Sequence, residues 1–416
     1  MATAHPDRRR WIILALIFCA FLLNYTDRQI VSILKPTLKV EFGLDDRGYA
    51  LLVNVFTVCY AAMYPVVGWL TDRFGPGRVM LGGILLWSAA CLGAGFARTF
   101  AQLAFLRGVL GAVEPTAFPA QLRVIAAWFP GSLRATANSI CATGSSVGAI
   151  IAPPLIAWLA LTHGWQMAFI VPGILGIGVG LLWWLLYRDP PKTPSVVGSG
   201  MAAAGHEQAF TWSHLWRTRS LWGIVFCRFL SDPVWYFCLF WLPGYLQESS
   251  GLSLSQIGMV GWIPFLFADL GGIGTSVWSD RLVRRGCSPL HARKHVLSLV
   301  ALAAPVCVLT PHVPHVAITL AIFSVVGAIC LSWLFTMSVI VAEAFPATNG
   351  GSVLGIAAGF GAAGAILFNT FVGEIIHTVG AAWIFGVMAF LHPAAAVVLR
   401  VMVRRERPAL DVPGFG

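Results

Sequence analysis

Residues 11–33 read WIILALIFCAFLLNYTDRQIVSI, an almost unbroken apolar run that contains the charged pair Asp27-Arg28. At about 1.5 Å of helical rise per residue, this run is long enough to cross the ~30 Å hydrocarbon core of a bilayer. It lacks the small-residue cleavage site of a secretory signal and leads directly into the charged pair. It therefore predicts a first membrane-spanning helix that carries ionisable groups inside the membrane.

Apolar runs of this kind recur along the whole chain, and the composition agrees with them. Hydrophobic residues make up 58% of the 416 positions, charged residues only 11%, and the mean hydropathy is +0.79. Backbone groups inside lipid must be satisfied within the segment, which favours helices, and the alternating pattern of a membrane barrel is absent. The sequence thus predicts an all-α membrane protein with twelve transmembrane helices. The predicted spans are 11–33, 49–71, 79–97, 101–127, 136–160, 166–187, 219–247, 253–279, 291–310, 316–342, 352–375 and 380–403.

The net charge of +10 reflects membrane topology and does not indicate nucleic-acid binding. Of the 27 Lys and Arg residues, 19 fall in the termini and in the loops that alternate to one side of the predicted bundle. Loops rich in Lys and Arg stay cytoplasmic, so we expect both termini in the cytosol and a multi-pass protein of the bacterial inner membrane. The opposite loops hold Lys35, Lys39, Arg47 and Arg98.

The residue pattern argues against an enzyme, a channel and a metalloprotein. It offers no nucleophile–base set, no sizeable extramembrane domain, and no charged ring or filter motif of a pore. The nine cysteines mostly lie in apolar runs, where they suit buried packing, and their spacing fits neither a metal site nor a disulfide framework. The histidine pairs His291/His295 and His312/His315 lack a third ligand. We therefore expect no metal and no cofactor.

Residues 188–218 interrupt the apolar pattern with paired prolines and a small, polar, Gly- and Ala-rich stretch. We interpret them as a cytoplasmic linker between an N-terminal six-helix half, 1–187, and a C-terminal six-helix half, 219–416. The halves repeat each other, because a segment that begins at Phe129-Pro130 recurs 216 positions later at Phe345-Pro346. Transporters built from parallel repeats bind their substrate between the halves, near the membrane midplane.

Several motifs carry a family resemblance. The first three are Gly68-x-x-x-Asp72-Arg73-x-Gly75-x-x-Arg78, Asn24-Tyr25-Thr26-Asp27-Arg28 and Arg107-Gly108-x-x-Gly111-x-x-Glu114. The first resembles the helix 2–3 loop signature of the major facilitator superfamily, and the other two resemble its anion:cation symporter branch. Residues 144–154 and 163–169 resemble the bacterial hexuronate transporters. The resemblance spans nearly the whole chain and implies the major facilitator fold, with two pseudo-symmetric six-helix halves.

Ionisable side chains inside the predicted spans are candidates for function, because their burial in lipid is costly. Asp27 lies about 9 Å below the outer end of helix 1, and Arg107 reaches a similar depth in helix 4, so the two can meet. Glu114 lies about 10 Å deeper, on nearly the same face as Arg107. Acids that alternately pair with Arg and separate from it can couple a proton gradient to movement. The alternative is that these charges only hold helices 1 and 4 together.

The resemblance implies roles for several of these residues. Arg28 would contact the carboxylate of the substrate, for which its forked guanidinium is suited, and Asp27 and Glu114 would carry protons near Arg107. Tyr60 would contact a substrate hydroxyl, although an aromatic ring packed between helices is the alternative. Further candidates for the substrate-binding wall are Tyr64, Ser145 and Asn369.

Helix 7 contains Pro233 and Pro243, and we expect it to be broken or kinked. Arg228 and Asp232 are spaced i, i+4 and should form an ion pair. Organophosphate antiporters, a sister group of the resembled branch, carry a second binding arginine where this chain has Trp235. A single cavity arginine suits a monocarboxylate better than the exchange of phosphate esters.

Two loops on the predicted cytoplasmic side repeat the same motif. Asp72, Arg73 and Arg78 follow helix 2, and Asp280 and Arg281 follow helix 8. The resemblance implies that these loops latch the two halves together in the outward-facing state. A plain solvated turn is the alternative.

The sequence therefore predicts a proton-coupled symporter that imports a small organic anion by alternating access. The favoured substrate is a monocarboxylate sugar acid, most of all a hexuronate such as glucuronate or galacturonate. The alternatives are a related carrier of an aldonate, glucarate or an aromatic carboxylate, or an organic anion exchanger. We expect the partners to be this anion, protons and the lipid bilayer, with no nucleic acid, and we expect a monomer.

Overall fold

The computed structural model describes residues 7–188, 212–378 and 380–404, and most of these residues are helical. Ten helical stretches in this part of the chain are long and apolar enough to cross a membrane. Two predicted spans remain. Residues 49–71 lie in one long helix with charged ends, and residues 101–127 lie in a helix that is interrupted. The predicted all-α fold with twelve spanning segments is confirmed. Most of the predicted linker 188–218 lies outside the described residues, so the proposed domain boundaries stay a prediction.

The helices are α1 (Asp7–Ile33), α2 (Lys35–Phe42), α3 (Asp46–Phe74), α4 (Pro76–Ala94), α5 (Phe100–Val113), α6 (Ala117–Trp128), α7 (Gly131–His163), α8 (Met167–Leu186), α9 (Trp212–Arg217), α10 (Arg219–Phe240), α11 (Leu242–Glu248), α12 (Leu254–Val260), α13 (Ile263–Arg284), α14 (Pro289–Ala301), α15 (Val316–Ala344), α16 (Ala347–Thr378) and α17 (Ala382–Met402).

Proline interrupts two of the spans that the sequence predicts as functional. Helix 4 is not continuous over 101–127, because α5 ends at Val113 and Glu114–Thr116 form a 3-10 turn before α6. Pro115 lies in this turn and has no amide hydrogen to extend the α-helical ladder. The break expected in helix 7 is confirmed at Trp241, just before Pro243, whereas Pro233 stays inside α10. Glu114 therefore projects from a turn and not from a regular helix face.

The two halves repeat the same helix contact. In the first half Gly148 on α7 lies against the carbonyl of Leu22 on α1, and in the second half Gly364 on α16 lies against the carbonyl of Phe229 on α10. Neither position has room for a Cβ. The two glycines are separated by the same 216 positions as the repeated Phe-Pro pairs. This equivalence supports the predicted pseudo-symmetry of the halves.

The halves meet at one end of the bundle. We call the end that holds residues 7 and 404 the terminal end, and the opposite end the distal end. Several polar contacts between the halves lie at the distal end, and the hydroxyl of Tyr49 also donates to the carbonyl of Phe240 there. The others are Lys35–Glu248, Lys39–Glu248, Arg47–Glu374, Asn54–Thr370 and Gln247 to the carbonyl of Ile33. These contacts close the central space at the distal end.

The seam between α3 and α16 shows the same asymmetry. At the distal end a Cβ on Gly373 would lie 2.7 Å from the Cβ of Ala50, so the two backbones are in close contact. At the terminal end a Cβ on Gly68 or Gly355 would meet no described atom within 4 Å. Gly68 follows Ala50, and Gly373 follows Gly355, by five helical turns, or about 27 Å, so each pair shares one helix face. The seam is thus closed at one end and open at the other.

Candidate functional site

An ion pair between α1 and the 3-10 turn lies at the centre of the first half. Nε of Arg28 donates to Oε2 of Glu114 at 2.5 Å. The side chain of Glu114 is fully buried, whereas 13% of the Arg28 side chain remains exposed. The break before Pro115 turns Glu114 toward α1. The predicted site residues Arg28 and Glu114 are therefore brought together, with Arg28 nearer to open space.

Asp27 and Arg107 also lie together, but not in the expected contact. Oδ1 of Asp27 accepts a hydrogen bond from the thiol of Cys91 at 3.3 Å, and Arg107 donates to the backbone carbonyl of Asp27 at 3.5 Å. The guanidinium of Arg107 lies instead over the ring of Phe56, 4.7 Å from its centroid. A cavity of about 10 Å³, roughly the size of one water molecule, lies beside Asp27, Cys91 and Arg107. Asp27 and Arg107 thus meet as their depth allows, through the backbone carbonyl of Asp27.

Aromatic rings surround the guanidinium of Arg28. Its Cζ lies 5.1 Å from the ring centroid of Tyr25, 5.6 Å from that of Phe56 and 4.8 Å from that of Tyr60. The rings of Tyr60 and Tyr64 are 5.9 Å apart. Ring faces attract a cation, so this cage fixes the direction of the Arg28 side chain, 13% of which stays exposed. The predicted residues Arg28, Tyr60 and Tyr64 therefore form one group.

Two other predicted wall residues lie elsewhere. Asn369 on α16 is fully buried, and its side-chain oxygen accepts a hydrogen bond from the indole of Trp241 at 3.1 Å. This bond holds the break between α10 and α11. Ser145 on α7 is half-buried, and it is the next residue, Ser146, that contacts the opposite half. Substrate binding by Ser145 and Asn369 stays a prediction, and Asn369 does not line open space in this conformation.

The second half adds polar residues of its own. The ion pair of Arg228 and Asp232 forms as expected, at 2.8 Å. Asp269 on α13, which the sequence analysis passed over, lies beside Ser146 of α7 at the boundary between the halves. An isolated acidic residue in the predicted span 253–279 is a signal that could have revealed it, since ionisable groups inside membranes are usually functional.

The predicted gating residues lie at the terminal end, where Asp280 and Arg73 make contacts within their own halves. Asp280 pairs with Arg293 at 2.6 Å, and Arg293 also reaches Glu343 at 3.4 Å and the hydroxyl of Ser279. Arg73 is exposed beside the ring of Trp69. Arg78 and Arg281 are exposed as well, and the side chain of Asp72 lies outside the described set. A latch across the halves stays a prediction for another conformation.

A cluster of four charges at the distal end was not recognised from the sequence, where its lysines served only to assign topology. Lys35 contacts Asp46 at 2.8 Å and Glu248 at 2.7 Å, and Lys39 contacts the same two carboxylates at 3.2 and 3.1 Å. Only 1% of the Lys35 side chain is exposed, and its ammonium lies 4.8 Å from the ring centroid of Trp241. We call Lys35, Lys39, Asp46 and Glu248 the distal lock.

The distal lock stabilises the charged forms of Asp46 and Lys39. Burial alone would raise the pKa of Asp46, but the ammonium groups of Lys35 and Lys39 outweigh it and bring this pKa below its usual value. Burial likewise acts to lower the pKa of Lys39, but the carboxylates of Glu248 and Asp46 raise it above its usual value. Both partners therefore stay charged over a wider pH range than isolated side chains.

No group of three or more His, Cys, Asp or Glu side chains able to hold a metal ion occurs among the described residues. The arrangement suits the recognition of an anion, since a partly exposed guanidinium presents paired donors to a carboxylate.

Comparisons with known proteins show which family this sequence resembles. The family model described as Major Facilitator Superfamily matches residues 17–291. The hexuronate transporter of Escherichia coli (strain K12) is 30% identical over 97% of this chain and 96% of its own length. The probable galactarate/D-glucarate transporter of the same strain is 28% identical over 90% of this chain and 91% of its own length.

One solved structure shows the same fold. It is the crystal structure of a bacterial homolog of the human lysosomal transporter Spinster, in an inward-facing and unoccupied conformation. It matches 96% of both chains with a TM-score of 0.75 and a sequence identity of 18%.

Proposed function

The chain belongs to the major facilitator superfamily, and from this membership we propose that it imports a hexuronate such as glucuronate or galacturonate together with protons. Like its relatives it is a multi-pass membrane transporter and not an enzyme. The named relatives carry sugar acids, which supports a sugar acid as the substrate class.

The ion pair of Arg28 and Glu114 is the observation that carries the proposal. An incoming carboxylate competes with Glu114 for the exposed edge of Arg28. Once Arg28 binds the substrate, Glu114 is a buried carboxylate without its cation, and such a group is more stable when protonated. Anion binding and proton uptake are then linked at one pair. Asp27 lies one residue away, beside Cys91 and Arg107, and provides a second protonatable group.

The direction of opening follows from the loop charges. The terminal end carries most of the Lys and Arg residues, so we assign it to the cytoplasm and the distal end to the outside. The closed distal lock then corresponds to an inward-facing state. In the opposite state the lock opens, and the loops with Asp72, Arg73, Arg78, Asp280 and Arg281 come together. The solved relative with the same fold is itself inward-facing.

A carrier of dicarboxylate sugar acids is the second candidate, because the galactarate/D-glucarate relative matches nearly the whole chain. Aldonates, aromatic carboxylates and anion exchange stay open alternatives within the same family. All of them use the same cation, Arg28, and differ in what the rest of the site accepts.

Uptake of labelled galacturonate into proteoliposomes tests the proposal. We expect accumulation when the outside is acidic, and loss of accumulation in Glu114→Gln and Asp27→Asn, because neither variant can exchange a proton. Glu41→Gln is the control, since Glu41 is an exposed carboxylate on α2 away from the site. Counterflow of galacturonate should persist in Glu114→Gln. Undiminished accumulation in both acid variants would remove proton coupling.

Arg28→Ala tests the anion site separately. We expect calorimetric binding of galacturonate to be lost, because Arg28 combines partial exposure with a fixed position between the rings of Tyr25 and Tyr60. Unchanged affinity in this variant would place the carboxylate of the substrate elsewhere in the protein.

A further inference from the structure

Asp269 is an acidic residue of a spanning helix that the proposed function leaves without a role. It lies in the first half of α13, and its side chain is half-buried against Ser146 of the opposite half. Glu114 and Asp232 each pair with an arginine. Within the described part of the chain, Asp269 has no Lys or Arg partner. An ionisable side chain inside a membrane is energetically costly, so an unpaired carboxylate at this position suggests that it binds a ligand.

The position of Asp269 is the inner edge of the closed distal end. There α7 packs against α12, since a Cβ on Gly258 would lie 2.8 Å from Ala157 and a Cβ on Gly261 would lie 3.3 Å from Pro153. Asp269 follows Gly261 by about two helical turns toward the terminal end, and Ser146 precedes Pro153 by about two turns in the same direction. The Asp269–Ser146 contact thus lies where the packed seam ends and the central space begins.

Asp269 and Arg28 lie at a similar depth in opposite halves, because Gln29, next to Arg28, donates to the carbonyl of Ala149, about one turn from Ser146. Phe265, one turn before Asp269, packs edge-on against Trp235 of α10 at 6.2 Å between ring centroids. The ring of Tyr25 lies 5.1 Å from the guanidinium of Arg28 and is within electrostatic reach of both Arg28 and Asp269. A cation of the first half and an anion of the second half therefore lie at the same level of the boundary between the halves.

We propose that Asp269 is a specificity residue that accepts hydroxyl groups at the uncharged end of a sugar acid and excludes a second carboxylate. This inference rests on the proposed function, because Arg28 must hold the first carboxylate. An ionised carboxylate only accepts hydrogen bonds, so it suits the hydroxyls of a hexuronate. It repels the second carboxylate of an aldarate, and no described cation is paired with Asp269 to cancel that repulsion.

Calorimetric titration of the purified full chain with galacturonate and with galactarate tests the assignment. For the wild type we expect galactarate to bind at least about tenfold more weakly than galacturonate. Asp269→Asn keeps the shape and removes the charge, so the difference should shrink about tenfold through tighter galactarate binding. Asp269→Glu should keep the preference, and Glu41→Gln should change neither affinity. Asp269→Ser serves as a second neutral variant if the Asn variant does not fold.

The outcomes separate the two proposals. If the wild type binds both acids equally, or if both neutral variants keep the preference, the role of Asp269 is overturned while sugar acid transport stands. If the wild type binds neither acid, the proposed function fails, and the role of Asp269 fails with it.

Discussion

The two ends of the α3–α16 seam are built from the same helix faces but differ in what holds them. At the distal end Gly373 lies against Ala50, and the ion pair Arg47–Glu374 and the distal lock flank this contact. At the terminal end Gly68 and Gly355 stand on the continuation of these faces, with no described atom near their Cα hydrogens. Close approach of two backbones needs a small residue at the contact. The open glycines thus mark where the same helices would meet once the distal end opens.

Loss of the buried ammonium of the distal lock should have the largest effect. In Lys35→Met the carboxylates of Asp46 and Glu248 keep only the more exposed Lys39. Removal of one partner of a buried ion pair costs about 3 kcal/mol, so the closed distal end should be disfavoured about a hundredfold. Spin-label distances across the distal end should lengthen. Lys39→Met is the matched control and should lengthen them less; equal effects would mean that burial of Lys35 is unimportant.

A side chain at the open end of the seam should block transport without destabilising the present conformation. Gly68→Leu meets no described atom now, but it would prevent α3 and α16 from approaching at the terminal end. We expect uptake to fall about tenfold or more, which corresponds to about 1.4 kcal/mol or more, with an unchanged thermal midpoint. Gly82→Leu on α4 has equally open surroundings and lies off the seam, so it should transport normally. Normal uptake by Gly68→Leu would show that the faces do not meet.

The exposed ion pair of the seam should matter least among the charges. The side chains of Arg47 and Glu374 are about half exposed, at 52% and 50%. Exposed ion pairs contribute little, because water screens their attraction, so Arg47→Ala should change uptake by less than about fivefold. The residual effect should shrink further at high salt, because the pair is screened. A loss as large as that of Lys35→Met would contradict the distinction between buried and exposed pairs.

The distal lock should not respond to physiological pH. The pKa of Asp46 is lowered from 3.8, so its ion pairs form above that pH and are lost only as the pH falls through the lower, folded-state pKa. The pKa of Lys39 is raised from 10.5, so its pairs persist below that pH and are lost as the pH rises through the higher pKa. Spin-label distances across the distal end should therefore stay constant between about pH 5 and 9. Longer spin-label distances at pH 5 would contradict this prediction and would mean that the distal lock itself responds to protons.

The fold followed from the sequence because lipid imposes a simple rule. Apolar runs of spanning length become helices wherever they occur, so the twelve spans could be located without knowledge of their packing. The interruption at Glu114 was missed, although Pro115 was visible, because proline is tolerated inside other helices of this chain, such as α10 at Pro233. Whether a proline breaks a helix or only bends it depends on the neighbouring helices.

The sequence placed Asp27, Arg28, Arg107 and Glu114 in one region of the first half, but it did not predict which of them pair. Helical depth placed Asp27 near Arg107, yet depth does not fix the rotation of a helix or the direction of a long side chain. In the structure Glu114 forms an ion pair with Arg28, and the guanidinium of Arg107 lies over the ring of Phe56. The distal lock could not be foreseen, because Lys35 and Glu248 are far apart in the chain and meet only through the packing of the two halves.

The ion pair of Arg28 and Glu114 affects how the substrate-free transporter reorients in the membrane. With the two charges cancelled, no net charge of this pair crosses the membrane when the unloaded protein reverses its orientation. Moving one full charge through 100 mV changes the free energy by about 2.3 kcal/mol. Because this pair carries no net charge, we expect the membrane voltage to have little effect on the reorientation of the empty transporter. Transient currents recorded from the substrate-free protein after voltage steps should accordingly be small, and large ones would mean that other charges travel with it.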